Sequence, residues 1–135
     1  MSISVMLADR RFSLDEKALA AAARRVLKSE SAFGKSINII YCSDRYIRAL
    51  NKRFKRKNQT TDVLAFDLSD SVEPDFIGEV YVNLQQAKRQ AKDRRIPYKE
   101  EVKRLTIHGV LHLLGYRDRR KSNRLNMWAH QEGYL

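Results

Sequence analysis

Residues 98–115, YKEEVKRLTIHGVLHLLG, are the most apolar helical stretch of the chain, and any fold it adopts must bury them. Val102, Leu105, Val110, Leu111 and Leu114 recur at helical spacing and spread over more than one side, which places this helix inside the molecule. Gly115 is its natural stop. Yet the helix also carries two of the chain's 3 histidines, His108 and His112. Four residues apart, they share a face, with Cβ atoms about 5–6 Å from each other.

That spacing has two physical readings. Packed in a core and hydrogen-bonded, the pair is inert. Turned toward one ion, the two imidazoles meet the Zn–N distance of about 2.0–2.1 Å, and Gly109 removes bulk beside the first. A third ligand must come from elsewhere, because the helix face recedes after one turn. Gly115 lets the chain double back, and Asp118, six residues after His112, then offers a carboxylate oxygen; His130 is the next candidate. Three protein ligands leave a coordination position for water, the layout of a catalytic zinc. Zinc peptidases of the H-E-x-x-H type keep their general base where this chain has Gly109, which weakens a peptidase reading.

Around that helix the pattern predicts strands at 2–9, 35–43, 60–68 and 75–83, and helices at 13–30, 44–57, 84–95 and 121–135. Ser13 and Glu16 fit a capping box, Ser43 or Asp44 caps the second helix, and Asn83 caps the third. In 44–57, Ile47, Leu50, Asn51 and Phe54 fall on neighbouring turns and the other face is basic. The polar loop SDSVEP suits an antiparallel hairpin between the third and fourth strands. Four strands and five helices give an α+β sheet with helices packed on it. No repeat or Pro/Gly-rich linker interrupts the chain, so 1–135 reads as a single domain of a size that buries a real core.

Charge narrows the partners. With 27 Lys+Arg against 16 Asp+Glu the formal net charge is +11, which favours a polyanion, of which nucleic acid is the commonest. Cys42 is the only cysteine, so no internal disulfide is possible, in keeping with a reducing cytoplasm. No apolar stretch is long enough to span a bilayer, and the N-terminus reads as a strand rather than a signal peptide.

The string HGVLHLLGYRD (108–118) resembles the H-G-x-L-H-L-x-G-Y-D-H signature of the YbeY family, bacterial zinc-dependent endoribonucleases of ribosomal RNA maturation. LNKRFKRKNQTTDVLAF (50–66) is similar to the family's L-N-x-x-[FY]-R-…-T-D-V-L-S-F, IGEVYVN (77–83) to its G-D-I-x-I strand, and MWAHQEGYL to its closing M-x-x-x-[QE]-E segment. The resemblance implies a mixed, roughly four-stranded sheet with about five helices around it, a single layer of which carries the metal motif. It implies one Zn2+ per chain held by His108, His112 and Asp118. It also implies single-stranded RNA as substrate, the 3′ end of 16S rRNA and ribosome quality control as the task, and the small ribosomal subunit or an associated protein as partner, all in the cytoplasm.

Three departures stand out. Asp118 occupies the register of the family's third histidine, and a carboxylate is still a competent zinc ligand. Lys55 replaces the arginine after the aromatic, keeping the charge and losing the planar fork for phosphate, with Arg56 next to it. Ala65 replaces a serine. Lys55 or Arg56 is expected to offset charge on the scissile phosphate, and Arg48, Lys52, Arg53 and Lys57 to bind RNA in a salt-sensitive manner. Lys88, Arg89, Lys92, Arg94 and Arg95 extend the basic surface. Tyr116, Trp128 and Tyr134 are available for base stacking, although Trp128 at helical spacing from Leu125 reads better as core. Two rival functions fit the same residues: an RNA-binding ribosome-assembly factor with a structural zinc, and a metallohydrolase of another substrate.

Overall fold

The computed structural model describes residues 3–8, 11–32, 34–70, 73, 75–116 and 121–135, with the backbone alone for 121–125. Strands β1 (Ile3–Leu7), β2 (Ser36–Cys42), β3 (Val63–Asp67) and β4 (Phe76–Asn83) form one mixed sheet in the order β1-β2-β4-β3. β1 and β4 run parallel to β2, while β3 pairs antiparallel with β4, closing the expected hairpin. Helices α1 (Glu16–Ser29), α2 (Asp44–Lys55), α3 (Leu84–Arg94), α4 (Tyr98–Leu113) and α5 (Lys121–Gly133) complete the α+β architecture.

Local chemistry sets the helix ends. α1 opens at Asp15, whose carboxylate accepts the Ala18 amide at 3.1 Å; with Glu16 as the first helical residue, the Ser13 capping box does not form. Ser43 caps α2 and Asn83 caps α3. At the end of α4 the Tyr116 amide donates to the Leu111 carbonyl and the Gly115 amide to the His112 carbonyl, both at 3.1 Å. This is a Schellman stop, and it requires the left-handed φ of 99° that Gly115 supplies.

α4 lies against β3 and β4 on one side and against α1, α3 and α5 on the others. Leu105, Val110 and Leu111 join Ile39, Val80 and Val82 of the sheet and Ala23, Val26 and Leu27 of α1 in one buried cluster. Each such side chain contributes roughly 1.5–3 kcal/mol of burial. The helix comes this close because of Gly109: a Cβ there would stand 2.3 Å from Val80 Cγ1 and 3.0 Å from Val63 Cγ2. The Tyr41 hydroxyl is bonded to Thr106 at 2.7 Å, and burial pushes its pKa up. Burial also pushes the Cys42 thiol up to about 12.

Glu101 is fully buried on α4, and its carboxylate accepts from Arg104 at 2.9 Å, Arg94 at 3.2 Å and Gln90 at 2.6 Å. Arg104 also holds Glu132 through two bonds of 2.8 and 2.9 Å, which ties α5 to α4.

Two side chains stand further out than their spacing suggests. Met127 takes the buried slot of α5, leaving Trp128 47 % exposed beneath the guanidinium groups of Arg94 and Arg104 rather than in the core. Phe54 is 56 % exposed, since Ile47 and Asn51 fill the buried side of α2.

Candidate metal centre and substrate cleft

The two histidines do converge. His108 Nε2 and His112 Nε2 are 3.1 Å apart. Two nitrogens that share one tetrahedral zinc at about 2.0–2.1 Å lie slightly more than 3 Å from each other, so the pair fits a divalent ion.

The ring of His108 is fixed from behind. Gln131 donates from Nε2 to Glu132 Oε2 at 3.3 Å, which turns its Oε1 toward His108 Nδ1 at 2.6 Å. His108 therefore carries its proton on Nδ1 and leaves the Nε2 lone pair facing His112. Glu132 is itself held by Arg104, whose bonds, ahead of the cost of burial, keep its carboxyl below the usual range. The chain Arg104–Glu132–Gln131–His108 is the support that metal-binding histidines typically require.

Asp118, the expected third ligand, lies outside the described residues. Among the described residues no group of three His, Cys, Asp or Glu side chains is placed to hold a metal ion. His130 belongs to another cluster: its Nδ1 is 3.2 Å from Glu30 Oε1, which also accepts from the hydroxyls of Tyr116 and Tyr134 at 3.0 and 3.1 Å. That cluster pins the chain just past the Gly115 turn to the end of α1 and to the C-terminus.

His112 opens into a cleft of about 790 Å3. Among the described residues β3 pairs only with β4, and the cleft follows it from Val63 to Leu68, lined also by His112, Leu113 and Gly115 and by Asn51, Lys55, Lys57 and residues 59–61. Lys55 stands over the Phe66 ring at 5.4 Å. Arg56 ends α2 in the left-handed conformation and is not part of the lining, where Lys57 stands instead. Arg48 and Lys52 border a neighbouring depression, with Arg48 bonded to Asn58, and Arg53 lies over Phe54. The basic run thus divides between the cleft and the adjoining faces of α2.

Three polar residues that spacing alone did not mark as functional hold this geometry. Gln131 orients His108. Asn51 donates to the Gln59 carbonyl at 2.9 Å, and buried Asn83 donates to Asp44, Thr60 and the Thr61 carbonyl while capping α3. The two asparagines anchor residues 59–61, which line the same cleft as His112. A buried asparagine in an otherwise apolar register is the one sequence signal that points to such a role.

A histidine pair on a buried helix, opening on a cleft with two lysines, makes a candidate metal centre beside an anion-binding groove, and comparison with known proteins gives its family. A family model described as Endoribonuclease YbeY matches residues 5–135. Endoribonuclease YbeY of Flavobacterium psychrophilum is 34% identical over 110 residues, 82% of this chain and 77% of the relative. The protein of the same description from Chlorobium phaeovibrioides is 36% identical over 135 residues, 100% of this chain and 89% of the relative. The solution structure of Thermotoga maritima TM1509 superposes with a TM-score of 0.69 at 28% identity, covering 98% of this chain and 86% of that one. The chain belongs to the YbeY endoribonuclease family. No helix among the described residues is long and apolar enough to cross a membrane.

Proposed function

We propose that this protein is a zinc-dependent endoribonuclease that cleaves single-stranded RNA in the cleft beside β3, in the maturation of ribosomal RNA on the small subunit. The observation that carries the reading is the 3.1 Å convergence of two imidazole nitrogens at the mouth of a cleft lined by Lys55 and Lys57. Family membership supports RNA as the substrate, and the net charge of +11 supports a polyanion.

His108, His112 and Asp118 would hold the zinc, one ion per chain. Its chemistry there is Lewis-acid stabilisation of negative charge on a phosphoryl oxygen. Lys55 supplies a second positive charge from the cleft wall and Lys57 a phosphate contact on the rim. The position after His108 cannot provide a carboxylate base, because Gly109 faces the sheet and has no room for a side chain. The attacking oxygen is therefore a water or the RNA's own 2′-hydroxyl, distinguished by whether products end in a 5′-phosphate or a 2′,3′-cyclic phosphate.

The test is cleavage of single-stranded RNA by purified protein with and without chelator, alongside His112→Ala and Asp118→Ala. The parent is expected to cleave and to hold one zinc per chain, and both variants to lose zinc and cleavage while remaining folded. Cleavage that survives chelation, or a tightly held zinc in Asp118→Ala, refutes the ligand assignment. Zinc bound with no cleavage of any RNA would favour the assembly-factor reading.

A further inference from the structure

Tyr46 and Phe54 are unusually open for large rings, at 43% and 56% exposure. They project from one side of α2, eight residues and so about 12 Å apart along its axis. Two rings of the sheet bridge them. Tyr81 is stacked on Tyr46 with centroids 6.2 Å apart and planes at 27°, and Phe66 stands edge-on to Tyr81 at 5.7 Å and to Phe54 at 5.6 Å. Tyr81 and Phe66 alternate with Val80 and Ala65, so they lie on the sheet face turned away from Gly109 and the histidine helix.

This row begins at the cleft. Phe66 and Lys55 line the cavity that holds His112, and Lys55 sits over the Phe66 ring. Next to Phe66, the Arg53 guanidinium lies 5.1 Å from the Phe54 centroid. Glu79, the carboxylate beneath the row, is engaged by the Tyr81 hydroxyl at 3.0 Å and by Asn38 at 3.3 Å. Exposed rings flanked by cations suit a chain that brings flat bases and phosphates together, a base taking the place of a guanidinium on a ring face. An apolar protein partner would have to strip water from those cations without neutralising them.

We propose that Tyr46–Tyr81–Phe66–Phe54 is a base-stacking platform for the single-stranded RNA that flanks the phosphodiester in the cleft, with Phe54 and Tyr46 each taking a base. This rests on the cleft being the RNA site, and it extends that site across the edge of β3 onto the opposite face of the sheet. Stacking has little sequence preference, so the platform lengthens the footprint without selecting bases.

Anisotropy titrations of the full chain with labelled RNAs of about four and about fourteen nucleotides test it, since that range spans a cleft alone and a cleft with a stacking surface. Tyr46→Ala and Phe54→Ala should each weaken the longer RNA by roughly five-fold or more, and Phe54→Trp should restore the parental value. The shorter RNA should bind all four proteins alike. Alanine variants that bind the longer RNA as the parent does overturn the platform and leave this face to a protein partner. Equal weakening of both RNAs overturns it too, since the rings would then act only through the cleft. A parent that binds neither RNA would instead sink the endoribonuclease reading itself.

Discussion

His108 Nδ1 lies 2.6 Å from Gln131 Oε1, and that single hydrogen bond decides which nitrogen of His108 faces His112. Gln131→Leu removes the acceptor and lets the ring take either tautomer. Its zinc affinity should fall by about 10–100-fold, while Gln131→Glu should hold it near the parent. Competition with a chromophoric chelator measures the affinity, and nitrogen NMR of the metal-free protein reports the tautomer. Identical tautomer populations in Gln131→Leu and the parent would show that Gln131 does not orient the ring.

Lys55 lines the same cleft as His112, from its place over Phe66. If it offsets charge that develops on the phosphate, Lys55→Met should lower kcat about ten-fold or more while changing RNA affinity much less. Lys55→Arg, which keeps the charge and adds a planar fork, should match or exceed the parent. Steady-state kinetics on a short RNA decides it. Equal kcat in all three proteins would make Lys55 part of the general basic surface.

Arg104 bridges Glu101, which is 0% exposed, and Glu132. Arg104→Met leaves a buried carboxylate with fewer partners and should cost about 3–5 kcal/mol, seen in thermal or denaturant unfolding. The pair also sets a pH dependence. Arg104 holds Glu132, and Arg89 holds Asp44, below the usual carboxylate range. Both contributions are complete above the unfolded-state pKa values of about 4 and are lost as pH falls through the lower folded values. Stability should therefore drop on acidification below about pH 4, and Glu132→Gln should flatten that slope.

Gly109→Ala is the smallest change that tests how α4 is seated. Its Cβ would meet Val80 at 2.3 Å and Val63 at 3.0 Å, so the helix must move off the sheet. Overpacking of this kind should cost about 1–3 kcal/mol, with zinc affinity falling in parallel because both histidines ride on the same helix. A variant as stable as the parent would mean that the β3–β4 face yields without cost.

The elements were legible in the sequence because each carries its own period and stop signal: β-branched runs for β2 and β4, Asn83 ahead of α3, Gly115 after α4. The histidine pair was legible for the same reason, since four residues on a helix is a fixed distance. What spacing could not supply was anything joined across the chain. Gln131 is 23 positions from His108, and the two meet because α5 packs on α4, where Met127 is buried and Arg104 holds Glu132. Trp128 and Met127 are adjacent, and only the packed structure chooses which one is buried. Arg56 and Lys57 differ by a single left-handed residue, which sends one out of the cleft lining and the other into it.

The setting of α4 bears on the order in which this molecule comes apart. From Glu101 to Leu111 nearly every residue is buried, with the sheet on one side and three helices on the others. Amides in such a segment exchange with deuterium only when the whole chain opens. His108 lies within that stretch and His112 directly follows it, so stripping the metal should leave the exchange pattern of α4 in place. The centre would then survive as a standing frame that refills without refolding, unlike small zinc modules whose fold is made by the ion itself.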